Sequence, residues 1–133
     1  MRPGSLRVGL DLVHVPDVVA AIAAQGERYL ERLFTEHERA SCTGEPVVVA
    51  RGLAARLAAK EATVKLLRPT GPQPEWRDIE VVRQSGGWVE LRLTGLAAWL
   101  KEEGGLSDIT VSLTHENETA AAVVVGWCTG PNG

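Results

Sequence analysis

Four ionisable residues lie where chemistry is worth looking for. Asp11 sits in a short run of alternating apolar residues, and Lys60, Glu61 and Lys65 sit in a stretch rich in alanine and leucine. Two hard carboxylates with open positions around them suit Mg²⁺, which keeps several waters and binds through one or two carboxylates plus substrate phosphates. The same residues also have plainer uses. Asp11 can serve as a solvated or capping residue near a strand end. Glu61 and Lys65 form an i,i+4 pair in the favourable order, worth about 0.2–0.5 kcal/mol on a helix surface. Spacing alone leaves both readings open. Lys60 is the odder residue, because it falls in the middle of a leucine face. It must snorkel out or meet an anion, since a lone buried ammonium is costly.

Several other chemistries are excluded. There is no G-x-x-x-x-G-K and no G-x-G-x-x-G segment. His115-Glu116 begins like a zinc-protease helix, but Thr119 stands where the second histidine belongs. Asn117-Glu118-Thr119 has the form of a glycosylation triplet, and without a secretory signal it is a chance match. No serine, histidine and acid set is suggested by spacing. The 133 residues predict one domain over 1–133, and 44% hydrophobic with 23% charged residues exclude a disordered tail or a coiled coil. A net charge of −3 gives no general attraction to nucleic acid or an anionic membrane, so a phosphate-bearing ligand needs a local basic cluster. Apolar runs such as Ala120 to Val125 are far short of the ~18 residues that span a bilayer. The N-terminus has no signal-peptide core, which predicts a soluble, cytoplasmic protein. Cys42 and Cys128 belong to no C-x-x-C pair and are expected to be reduced thiols.

The elements that must position these groups follow from periodicity. Leu6, Val8, Leu10 and Leu12 alternate with Arg7, Gly9, Asp11 and Val13, a period-two strand with Asp11 facing away from the leucine side. Pro16 opens a helix with an apolar stripe of Val18, Val19, Ile22 and Ala23, and Gly26 stops it. Tyr29, Leu30, Leu33 and Phe34 continue at helical spacing. Thr35-Glu36-His37-Glu38 reads as a capping box, which makes Glu38 a cap. The span 47–67 is the longest helical candidate. Leu53, Leu57, Val64 and Leu67 share one face, with Ala55, Ala59, Ala62 and Leu66 nearly opposite, so the helix is expected between layers. Its charges fall into two stripes, Arg56 with Lys60 and Glu61 with Lys65. Glu61 lies roughly 80° from Leu53, on the shoulder of the leucine face, and is expected to converge with Asp11 beside the first strand. A proline-rich loop follows at 69–74. Strands at 79–83 and 88–93 form a hairpin through Ser85-Gly86-Gly87, a short helix covers 96–101, and strands at 109–114 and 119–127 flank a turn at 115–118. The order argues α+β, with a mainly antiparallel sheet packed on a long central helix.

Four segments carry a family resemblance: VGLDLV at 8–13, LAARLAAKEATVKLL at 53–67, WRDIEVV at 76–82 and SLTHENETAAAVVV at 112–125. In this order and at these separations the chain resembles the holo-acyl-carrier-protein synthase family of small 4′-phosphopantetheinyl transferases. The resemblance implies the phosphopantetheinyl transferase fold and a Mg²⁺-dependent reaction. The phosphopantetheine arm of coenzyme A passes to a serine of an apo acyl carrier protein, and adenosine 3′,5′-bisphosphate is released. Asp11 and Glu61 match the metal-binding carboxylates. Lys65 matches a lysine near the reacting phosphates, and Glu61 is also a candidate base. His115 matches the histidine of the last motif and, with Arg56, is assigned to phosphates of coenzyme A. The plainer reading of His115 is a hairpin-turn residue. The resemblance further implies a homotrimer with sites between subunits. A Mg²⁺-dependent phosphohydrolase acting on coenzyme A or a nucleotide is the alternative, and the intact Asp11, Glu61 and Lys65 argue against a silent carrier-binding module. Two departures are visible. LRPTGPQPE replaces the glycine-rich segment that commonly follows the K-E-A helix, so no coenzyme A contacts are assigned there. Asp17 stands where many members carry a basic carrier-docking residue. Arg28, Arg32 and Arg39 offer another basic face, unless Glu27 and Glu31 neutralise it.

Overall fold

The computed structural model describes residues 4–129. Strand β1 (Leu6–His14) runs directly into helix α1 (Val15–Gln25), with Pro16 in its first turn, where a missing N–H costs nothing. Gly26, at φ 56°, breaks the chain into α2 (Glu27–Leu33). The Thr35–Glu38 capping box then opens α3 (Glu36–Ser41). The long helix α4 (Pro46–Leu67) follows, and after the proline-rich loop a 3-10 turn (Trp76–Asp78) leads into the hairpin β2 (Ile79–Arg83) and β3 (Val89–Leu93). Helix α5 (Gly95–Glu103) precedes β4 (Leu106–Glu116) and β5 (Thr119–Cys128).

Every strand pairing is antiparallel, but the strands form two sheets, β1-β5-β4 and β2-β3. The architecture is the expected α+β arrangement. Helix α4 lies across β1 and β5 and is buried on most of its circumference, from Leu53, Ala54 and Ala58 through Ala62 to Leu66. Alanines on this helix and on β5 (Ala120, Ala122) let the layers approach closely. No helix among the described residues is long and apolar enough to cross a membrane. Cys42 and Cys128 are both free and buried.

The structure departs from the sequence expectations at the last hairpin. The last hairpin closes over Asn117-Glu118 alone, so His115 and Glu116 belong to β4, which also begins earlier, at Leu106, with an irregularity before Asp108. Asn117 supplies the left-handed backbone, at φ 56°, that a two-residue turn needs. In β1 the structure decides what alternation left open. Its alternation is as read, but the leucine side is the outer one: Leu6, Val8, Leu10 and Leu12 are 58%, 62%, 59% and 66% exposed. Arg7, Gly9, Asp11 and Val13 face the helix.

Lys60 meets its anion. Its ammonium, fully buried, pairs with Glu38 at 2.8 Å and donates to the carbonyls of Trp76 and Ile79. Glu38 in turn accepts the backbone N–H groups of Thr35 and Val81. The cap residue is therefore also a buried counter-ion, tying α3, α4, the 3-10 turn and β2 together.

Candidate active site

Asp11 and Lys65 meet across the β1–α4 interface. The Lys65 ammonium donates to Asp11 Oδ1 at 2.8 Å and to the Leu10 carbonyl at 2.9 Å. Lys65 is thus spent on the strand and makes no ion pair with Glu61, although the two lie four apart on one helix. The second oxygen of Asp11, Oδ2, is buried with no hydrogen-bond partner. The Glu61 carboxyl stands beside it, and the two titrate together. Burial pushes Glu61 up, the neighbouring Asp11 pushes it further, and Lys65 only partly offsets this, so its pKa reaches about 7. Burial also acts to raise Asp11, but the neighbouring Glu61 carboxyl, the Lys65 ammonium and the Leu12 N–H outweigh it, and Asp11 ends below its ordinary value. Near neutral pH one carboxylate is charged and its neighbour is balanced between two states.

Glu61 opens into a cleft of about 240 Å³ shared with His14, Asp17, Tyr29 and Leu57. Burial, then the Glu61 charge, raises the Tyr29 phenol. Helical spacing put Tyr29 on an apolar face, and it is buried there at 6% exposure, but its place at this cleft was missed. The available signal was a hydroxyl on an apolar helix face, which needs a polar neighbour when buried.

The donor set fits a magnesium ion. Asp11 and Glu61 offer two hard carboxylates, one with an orphaned buried oxygen. No group of three or more His, Cys, Asp or Glu residues is gathered among the described residues, so most coordination positions would stay open to water and phosphate.

The other two site residues are not brought to this point within one chain. His115 is exposed on β4, opposite Ala120, which itself opposes Val13. Two strand spacings of roughly 4.8 Å put it on the order of 10 Å from β1. Arg56 lies five residues before Glu61, roughly 140° around the helix at about 100° per residue. It is 3% exposed, and its Nη1 donates to the Gly52 carbonyl at 3.1 Å, but Nε and Nη2 have no partner. A buried guanidinium with two idle donors is suited to an anion. The alternative basic face is smaller than the sequence suggested, because Glu27 holds Arg39 through both carboxylate oxygens, at 3.0 and 2.8 Å. Arg28 and Arg32 stay exposed, with no ion pair among the described residues.

The sequence pattern of the 4′-phosphopantetheinyl transferase superfamily matches residues 7–124. The chain belongs to that superfamily. A holo-[acyl-carrier-protein] synthase of Gloeobacter violaceus is 40% identical over 118 residues, covering 89% of each chain. The solved acyl carrier protein synthase of Mycobacterium tuberculosis superposes with a TM-score of 0.71 at 39% identity, over 92% of this chain and 96% of that one. A coenzyme A complex of the Chronobacterium ammoniagenes synthase reaches 0.81 at 29% identity, over 95% and 99%. Among phosphopantetheinyl transferases this chain is therefore similar to the synthases over nearly its whole length.

Proposed function

We propose that the protein transfers the 4′-phosphopantetheine arm of coenzyme A to a serine of an apo acyl carrier protein, with Mg²⁺ held by Asp11 and Glu61. The observation that carries this reading is the cluster of Asp11, Glu61 and Lys65 at the β1–α4 seam, in a chain of this family. In the transfer a bond forms between the serine oxygen and the β-phosphorus of coenzyme A. The bond from that phosphorus to the bridging oxygen breaks, and adenosine 3′,5′-bisphosphate leaves. A bound Mg²⁺ would supply positive charge to the phosphate oxygens where negative charge gathers. Lys65 holds Asp11 in place and adds a cation at the same point. The serine proton would pass to Glu61 or to a water that the metal orients. Arg56 and His115 are assigned to phosphates at the nucleotide end.

The outer face of β1 supports a homotrimer as the working form. Leu6, Val8, Leu10 and Leu12 lie in register with Trp127, Val125, Val123 and Ala121 of β5, an apolar surface that a second copy of this chain would cover. Neighbouring subunits would then complete the site with residues that one chain leaves apart. Light scattering should give three times the chain mass, and Val8→Glu should reduce it. A wild-type monomer with full activity would end the trimer reading.

The direct test is intact mass of several apo carrier proteins after incubation with coenzyme A, with Mg²⁺ or with excess chelator. The reading expects phosphopantetheine addition only with metal. Consumption of coenzyme A without gain of carrier mass would instead mark a phosphohydrolase, and full transfer in chelator would remove the metal.

A further inference from the structure

Backbone nearly touches backbone where β1 crosses α4. A Cβ on Gly9 would stand 1.9 Å from the Ala62 carbonyl oxygen, 2.9 Å from its carbonyl carbon and 3.3 Å from the Leu66 amide nitrogen. These atoms belong to the last two turns of α4 and are held by its hydrogen-bond ladder, so they cannot swing aside as a side chain would. Gly9 lies inside the strand and is not among the positive-φ residues. What the position requires is the missing Cβ, not an unusual φ.

The place of this contact matters. Ala62 and Leu66, the two helix residues that meet Gly9, each directly follow a site residue, Glu61 and Lys65. Asp11 lies two residues along β1 on the same face as Gly9. The near-contact is therefore the fulcrum from which the strand carboxylate and the helix carboxylate are spaced. A side chain at Gly9 would force strand and helix apart by about 1.5 Å or more to reach an ordinary contact. Mg²⁺ tolerates such an error poorly, since it demands near-octahedral geometry at about 2.0–2.1 Å. Ca²⁺ accepts flexible shells at about 2.3–2.6 Å.

We propose that Gly9 is a positioning residue that sets the spacing of the Asp11 and Glu61 carboxylates to the size of a magnesium ion, and so decides which divalent cation the pair prefers. This rests on the metal reading given above, and the experiment separates the two. The wild-type chain, Gly9→Ala and Gly126→Ala are titrated calorimetrically with Mg²⁺ and with Ca²⁺ in the absence of coenzyme A, with folded content followed by circular dichroism. Gly126 is the packing control. It lies opposite Arg7 on the same sheet, and the three atoms nearest a Cβ there are side-chain ends of Leu106 and Leu66. Gly9→Ala should lose about 10–100-fold in Mg²⁺ affinity, the scale on which supporting residues act on a metal, and lose less for Ca²⁺. Gly126→Ala should leave the Mg²⁺/Ca²⁺ ratio unchanged. An unchanged ratio in Gly9→Ala, or an equal fall in Gly126→Ala, overturns the proposal. If Gly9→Ala does not fold, Asp11→Glu makes a comparable spacing error without a backbone clash. It should show the same loss of Mg²⁺ preference, and a retained preference overturns the proposal. A wild-type chain that binds neither cation overturns the metal reading and this inference with it.

Discussion

Helix α4 carries two lysine–carboxylate pairs, one residue type apart in chemistry and opposite in character. Lys60 and Glu38 are wholly enclosed, and every charged atom has a partner: two carbonyls on the ammonium, two amide N–H groups on the carboxylate. Lys65 and Asp11 are partly open to solvent, with side chains 57% and 16% exposed, and one Asp11 oxygen is left without a hydrogen bond. The enclosed pair has nothing left to offer a ligand. The open one does, and a second carboxylate beside it is balanced near neutrality. Charge on a helix marks a reactive site when its hydrogen-bonding capacity is left unfilled.

The largest effect that tests this contrast is on the enclosed pair. Lys60→Met leaves the Glu38 carboxylate buried without its cation and should cost about 3–5 kcal/mol of stability in denaturant titration. Lys60→Met with Glu38→Leu should recover much of that loss, because the uncompensated charge is gone. Transfer per folded molecule should survive in the double variant. A Lys60→Met protein as stable as wild type would mean the pair is not the clamp described.

Next in size is Glu61→Gln, which should lower turnover by about 10²-fold or more, the scale of removing one preorganised electrostatic group. Its thermal midpoint should not fall, since the amide keeps the size and removes a carboxylate crowded against Asp11. Normal turnover in this variant would reduce Glu61 to a surface residue.

The smallest effect is a pH dependence. Glu61 in the folded chain titrates near 7, above its ordinary 4.5, so the folded state holds this proton more tightly than the unfolded one. Its contribution to stability is complete below about 4.5 and is lost as pH rises through about 7. The metal-free thermal midpoint should therefore carry a downward slope across that window, and Glu61→Gln should abolish it. Mg²⁺ must displace the same proton, so its stabilising shift should grow from pH 5.5 to pH 8. A metal shift independent of pH would contradict the coupling of the two carboxylates.

Much of this was legible in the sequence where periodicity is local. The alternation in β1 placed Asp11 on the face opposite the leucines, and the helical step placed Glu61 and Lys65 on the side that meets it. Lys60 had either to snorkel out or to meet an anion, and the choice was not legible because Glu38 arrives from another helix and nothing within a few residues encodes that meeting. The Glu61–Lys65 pair, one of the two readings that spacing left open, does not form for the same reason. The i,i+4 rule describes a bare helix, and β1 offers a carboxylate and a carbonyl that outcompete Glu61. The outer face of β1 was ambiguous in a deeper sense, since alternation tells which residues share a side but not which side the chain itself covers. Arg56 and His115 came from motif alone, and no periodicity would have joined them to Asp11.

The strand order β1-β5-β4 places the last-made described strand at the centre of its sheet. During synthesis α4 and the β2–β3 hairpin contain what they need early, while β1 waits for a neighbour separated from it by nearly the whole chain. Pairings of such long sequence separation close slowly and late. The strand that carries Asp11 therefore has no neighbouring strand until β5 has left the ribosome, and the carboxylate pair is assembled near the end of folding. A ribosome stalled before Thr119 would carry the glutamate of the site on a formed helix, and its aspartate on a strand with no neighbour in the sheet.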